Sequence, residues 1–130
     1  MRARSSYDYA IVRVVPRVER GEFVNAGVIL FCRTRRFLGA RIALDAGRLA
    51  ALAPQLDITE LKQYLAVIPL VCAGGAGAGP IGLLPLADRF HWLVAPRSAM
   101  IQTSPVHSGL CDAPEAALEQ LLETLVRPIS

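Results

Sequence analysis

The sequence predicts an α+β fold, in which an antiparallel or mixed sheet of about five strands, built from two β-hairpins, carries two main helices. Runs rich in β-branched and aromatic residues occur in pairs at residues 9–32 and 90–104. Two other segments combine helix-capping residues with apolar residues at helical spacing. The strands and helices form separate groups instead of alternating, which favours an α+β arrangement over a parallel α/β sheet.

The length and composition of the chain predict a single domain over residues 1–130. Hydrophobic residues make up 53% and charged residues 19% of the chain, which argues against disorder. So much apolar material beside so few charges indicates a protein partner, either a different protein or a second copy of the chain.

The first predicted hairpin joins residues 9–15 to residues 23–32 through a turn at Gly21. The second of these runs is apolar on both faces near its end, as a central strand would be. A third strand is predicted over residues 37–44. One of its faces is formed by Leu38, Ala40, Ile42 and Leu44.

Helices are predicted where a capping residue precedes apolar residues at helical spacing. Asp45 is expected to cap a short helix over residues 48–52, and Asp57 a longer helix. A final helix is expected to be capped by Asp112, with Pro114 in its first turn. Between the second and final helices, residues 73–82 are rich in glycine and predict a flexible loop.

The second predicted hairpin joins a strand at residues 90–95 to a strand at residues 100–104, with a tight turn at Pro96. The flanking polar residues are the first candidate site: His91, Arg97, Gln102, Ser104 and His107. Ser104 is flanked by Thr103 and Pro105, and this context lacks a nucleophile elbow. A polar binding strip and a purely structural role therefore stay open for these residues.

Arg13 and Asn25 form a second candidate site on the first hairpin. Arg13 interrupts an otherwise apolar row, and Asn25 and Gly27 are poor strand formers that mark a bulge or a close approach. If the register places odd positions opposite odd positions, the two side chains frame a small anion site, whereas a slip of one residue separates them. The alternative is an exposed arginine paired with Glu19 or Glu22.

The sequence favours a cytoplasmic protein without a membrane span. The long uncharged stretch from Gln63 to Ala87 contains three prolines and five glycines, which prevent a continuous helix. The three cysteines lack a paired spacing and are expected to be reduced and mostly buried.

Three strings resemble the bacterial domain-of-unknown-function family numbered 3037: YDYAIVRVVP at residues 7–16, GEFVNAGVIL at 21–30 and RFHWLVAPRS at 89–98. The segment IQTSPVHSGL at residues 101–110 is also similar to that family. The resemblance covers nearly the whole chain. It implies a small bacterial protein, often encoded beside a protein resembling the HipA-type serine/threonine kinases, and it implies no catalytic residue.

The residues therefore favour an accessory or regulatory interaction module, with a HipA-like kinase or a second copy as partner, and they do not indicate an enzyme reaction. The alternative is an enzyme or binding domain for a small anionic, phosphorylated ligand. No metal or cofactor is expected, because the two histidines have no cysteine or carboxylate pair at ligand spacing. Nucleic-acid binding through Arg33, Arg35 and Arg36 is a minor alternative, since no recognised binding motif accompanies them.

Overall fold

The computed structural model describes residues 4–97 and 99–128, and it confirms the α+β fold with an antiparallel sheet of five strands. The strands are β1 Ser5–Val14, β2 Val24–Cys32, β3 Phe37–Ile42, β4 Ile101–Thr103 and β5 His107–Cys111. The helices are α1 Ala46–Leu52, α2 Ile58–Ala73, α3 Leu86–Val94 and α4 Pro114–Leu125. The described residues therefore contain four helices: α2 and α4 are the two main helices that were predicted, α1 is the predicted short helix, and α3 was not predicted.

Strand β1 lies between β2 on one edge and both β4 and β5 on the other. β5 pairs with the first half of β1, from Ser5 to Tyr9, and β4 pairs with its last three residues. The two short strands thus follow one another along a single edge of β1. The first predicted hairpin is confirmed, and β2 lies inside the sheet between β1 and β3.

The second predicted hairpin, residues 90–104, is wrong. Residues 90–94 belong to helix α3, and β4 pairs with β1 instead of with them. Phe90 and Leu93, together with Arg89, form the buried side of this helix, and Leu86 packs beside them. The apolar spacing of 86, 90 and 93 is helical, and it outweighs the strand preference of the aromatic residues.

A β-bulge interrupts the pairing of β1 with β2 between Val12 and Arg13. Before the bulge Val12 pairs with Gly27, and after it Arg13 pairs with Asn25, so Ala26 is the extra residue. The predicted bulge is confirmed. Gly27 is required there because a Cβ would lie 2.6 Å from the backbone oxygen of Arg41.

Two apolar layers cover the sheet, one on each face. The larger one joins Val12, Val14, Ile29 and Phe31 to the helices α1, α2 and α3. The smaller one packs α4 onto residues of the opposite face, including Val28, Leu30 and Cys32. Alternate residues of β1 and β2 therefore face different helices.

The helix caps agree with the sequence at two of three places. The carboxylates of Asp45 and Asp57 accept hydrogen bonds from the backbone N–H of Arg48 and Glu60. Asp112 does not cap α4, because the residue at the cap position is Ala113, which has no side-chain acceptor. Pro114 does occupy the first turn, where its missing N–H costs nothing.

The glycine-rich segment contains two short 3₁₀ turns, Ala76–Ala78 and Pro80–Leu83. The backbone N–H of Gly75 donates to the carbonyl of Gly82, which closes the segment on itself. Its flexibility stays a prediction. Across the described residues, no helix is long and apolar enough to cross a membrane.

Candidate functional site

Arg13 lies at the centre of a row of three polar residues that crosses the sheet. Asn25 of β2 is its pairing partner on one side and Gln102 of β4 is its partner on the other. Directly paired residues point to the same face of a sheet, so the three side chains are neighbours. Without the bulge Arg13 would pair with Ala26, so the extra residue creates the row.

Asn25 attaches one end of the row to helix α4. Its Nδ2 donates a 3.0 Å hydrogen bond to the carbonyl of Leu125, the last residue of the helix. The row therefore lies on the face that α4 covers, beside the end of that helix. A carbonyl in the last turn of a helix lacks an intrahelical partner, so Asn25 satisfies an otherwise free acceptor.

The guanidinium of Arg13 is stacked on an aromatic ring. Its Cζ lies 4.2 Å from the centroid of the Phe23 ring, at cation–π distance. The side chain is half-buried, and among the described residues its guanidinium forms no ion pair and no hydrogen bond. Its Nε and the Oδ1 of Asn25 are both buried without a partner. The alternative pairing of Arg13 with Glu19 or Glu22 is absent from this part of the chain, where Glu22 pairs with Arg20.

A second feature is an apolar groove between α2, α3 and β4, with a volume of about 200 Å³. Its floor is formed by Ile68, Leu93 and Ile101, and its rim by Tyr64, Trp92 and Arg97. The guanidinium of Arg97 lies 4.6 Å from the centroid of the Trp92 ring and donates a 2.6 Å hydrogen bond to the Trp92 carbonyl. We call this feature the α2–α3 groove.

The outer face of α2 continues the apolar surface beyond the groove. Tyr64, Val67 and Leu70 follow one another at three-residue spacing and are 57%, 44% and 52% exposed. No charged residue occurs between Tyr64 and Ala73. A solvent-facing helix normally carries charges on this side, so an uncharged strip indicates a contact surface.

One comparison with known proteins identifies a family. Residues 9–126 match the family model described as "Protein of unknown function (DUF3037)". The chain belongs to this family. No curated protein and no solved structure matches the chain.

In this member of the DUF3037 family, Ser104 has a structural role, which was one of the two alternatives left open by the sequence. It is buried, and its Oγ accepts a 2.9 Å hydrogen bond from the backbone N–H of Ile11. It also lines a cavity of about 460 Å³ beside Arg97, Gln102 and Thr103. Arg97 and Gln102 line this cavity and the α2–α3 groove alike.

The two histidines lie apart from the polar row. His107 is exposed on β5, where its ring contacts that of Tyr9 at 5.4 Å between centroids. Tyr9 precedes Arg13 by four residues, about 13 Å along a strand, so His107 and Arg13 are separate. His91 is exposed on α3, not on a strand, and its ring centroid lies 6.1 Å from that of Phe90.

Arg89 is a buried cation that the sequence reasoning missed. It is 9% exposed, and its guanidinium donates to the carbonyls of Val71, Cys72 and Leu84. It thereby satisfies free carbonyls at the end of α2. The signal was an arginine on the buried side of a helical repeat, but that side was hidden by the strand interpretation of residues 90–95.

The three arginines considered for nucleic-acid binding, Arg33, Arg35 and Arg36, lie at the turn between β2 and β3. The guanidinium of Arg33 lies 5.6 Å from the centroid of the Phe31 ring, and the Nε of Arg35 donates to the Oγ of Ser5. These contacts involve protein groups and neither favour nor contradict nucleic-acid binding, which stays a prediction.

Proposed function

We propose that this protein is an accessory interaction module that docks a partner protein on the α2–α3 groove and the adjoining strip of α2. The observation that supports this proposal most directly is the rim of the groove, where Tyr64, Trp92 and Arg97 are all exposed around an apolar floor. Trp, Tyr and Arg are the residue types that contribute most binding energy at protein interfaces.

The chemistry of the groove defines the partner segment. Its apolar floor accepts one aliphatic or aromatic side chain, and the strip of Val67 and Leu70 accepts further apolar residues. Arg97 at the rim favours an acidic residue beside that anchor. The partner segment is therefore amphipathic, with an apolar anchor next to a carboxylate.

The candidate partner is a HipA-like kinase, because the family resemblance implies that such a kinase is often encoded beside a protein of this kind. A second copy of the chain is the alternative. The kinase is tested by mixing it with the purified protein and measuring the dissociation constant and the mass of the complex. The second copy is tested by the mass of the purified protein alone. A heteromeric complex supports the kinase as the partner.

Trp92→Ala is the decisive variant. It removes the largest rim residue, and we expect the affinity to fall by about tenfold to a hundredfold. The matched control is Leu110→Ala, which truncates a more exposed apolar residue on β5 that does not line the groove. Equal affinity for both variants, or no complex with the kinase and no dimer, would contradict the proposal.

A further inference from the structure

The position of Arg13 in the sheet leaves a positive charge unbalanced. The side chain is half-buried, and no carboxylate among the described residues neutralises it. Partial removal of a cation from water costs free energy unless hydrogen bonds or an anion replace the lost hydration. The positive charge of Arg13 therefore lacks a counterion among the described residues on this face of the sheet.

The stacking on Phe23 determines which part of the guanidinium is available. Nε is buried. The two Nη groups reach solvent, and they have no hydrogen-bond partner in the described part of the chain. The Nη groups are thus the accessible edge of Arg13. They offer parallel N–H donors at the spacing of the two oxygens of a carboxylate.

The neighbours of Arg13 make its two sides unequal. On one side Asn25 uses one N–H of its amide on the carbonyl of Leu125, and its Oδ1 is a buried acceptor without a partner, which disfavours an anion there. On the other side Gln102 donates to the carbonyl of Ala99 through Nε2, which leaves a second N–H on the same nitrogen. An anion that approaches from the Gln102 side can accept from this N–H as well as from the guanidinium.

We propose that Arg13, held by Phe23 and assisted by Gln102, binds a carboxylate. This group is either a free small acid or the side chain of an acidic residue in a partner. Both carboxylate and phosphate fit the two-donor edge of a guanidinium, but the single charge of a carboxylate is balanced by one arginine, whereas a phosphate dianion would keep an unbalanced charge. The site uses a different cation from the α2–α3 groove and does not depend on the function proposed for that groove.

The test is a titration of the ¹⁵N-labelled protein that follows the Nε–Hε signal of Arg13, assigned by its disappearance in Arg13→Lys. Sodium acetate, an N-acetyl-Ala-Glu-Ala-amide peptide, inorganic phosphate and sodium chloride are compared at equal ionic strength. We expect a saturable shift with acetate or the peptide at roughly millimolar concentrations, because such small groups bind weakly. A saturable shift with acetate alone would identify the ligand as a free small acid. A stronger shift with the peptide would identify it as an acidic side chain of a partner.

Three variants separate binding from folding. Arg13→Gln should weaken carboxylate binding about tenfold or more, as followed by the backbone amide of Gln102. Phe23→Leu keeps the cation, removes the stacking and should weaken binding about threefold. Arg17→Gln, at an exposed arginine, should leave the affinity unchanged. A shift that does not saturate, an equal response to chloride, or a preference for phosphate would overturn the carboxylate site.

Discussion

Ser104 replaces a missing backbone partner of Ile11. Its backbone N–H donates to the Ile11 carbonyl at 2.8 Å, and its side-chain Oγ accepts the Ile11 N–H at 2.9 Å. This double contact falls in the interval between β4 and β5, where Pro105 interrupts the edge strand. One serine thus keeps the hydrogen-bond ladder of β1 continuous between two short strands.

Ser104→Ala should lower the free energy of unfolding by about 1–3 kcal/mol, because the Ile11 N–H loses its acceptor inside the protein. Chemical denaturation measures this difference. The control is Ser108→Ala on β5, where the lost hydrogen bond to Asp8 is exposed to solvent and water can replace it. An effect of Ser108→Ala as large as that of Ser104→Ala would contradict the explanation.

Arg89→Met should destabilise the protein by about 3 kcal/mol or more, because three carbonyls at buried or half-buried positions lose a charged donor. The measurement is again the free energy of unfolding. Arg48→Met, at an exposed arginine of α1, should change stability by only about 0.5 kcal/mol. Similar values for the two variants would show that Arg89 does not hold the end of α2.

Gly27→Ala should destabilise the protein by about 1–3 kcal/mol through overpacking, since its Cβ would meet a backbone oxygen that cannot move away alone. Gly77→Ala is the matched control, because a Cβ there has no atom within 4 Å. The two melting temperatures should therefore differ clearly. A melting temperature of Gly27→Ala equal to that of the wild type would mean that the bulge relaxes without cost.

Arg97→Ala should increase the quenching of Trp92 fluorescence by acrylamide, because the guanidinium covers one face of the ring. Trp92 is the only tryptophan, so its emission reports this position alone. Arg17→Ala should leave the quenching constant unchanged. Unchanged quenching in Arg97→Ala would show that the ring and the guanidinium are not stacked in solution.

Burial raises the pKa of the Cys72 thiol from its ordinary value near 9 to about 12. The folded state therefore retains a proton that the unfolded state loses above pH 9. The contribution of the protonated thiol to the free energy of unfolding is therefore fully present below pH 9. It falls by up to about 1.4 kcal/mol per pH unit as the pH rises toward 12. The stability difference between the wild type and Cys72→Ala should shrink from pH 8.5 to pH 10.5, and a constant difference would contradict the shift.

Most of the fold follows from local patterns in the sequence. The β1–β2 hairpin, β3 and the capped helices α1 and α2 each have both a periodic apolar face and a boundary residue. Strand β5 was missed because its residues, HSGLC, combine two exposed polar residues with a glycine. Its strand conformation depends on pairing with β1 about 100 residues away, and such a long-range contact leaves no local signal.

The candidate site was only partly visible in the sequence. The pair of Arg13 and Asn25 was expected only under one register, and the bulge that sets this register depends on the close approach of Gly27 to the neighbouring strand. Gln102 joins the row through β4, which the sequence paired with the wrong segment. Trp92 was assigned to a strand, so its exposure on the outer side of α3 could not be anticipated.

The shared edge of β1 has a consequence for the order of folding during synthesis. The β1–β2 hairpin can form as soon as residue 32 is available, but Asp8 must wait for Ser108, which lies 100 residues after it in the chain. Closing so long a loop is slow, and the unpaired edge of β1 is open to other chains in the meantime. A ribosome-bound chain that ends before residue 101 should therefore expose this edge and depend on chaperones, and the need should end once residue 111 has emerged.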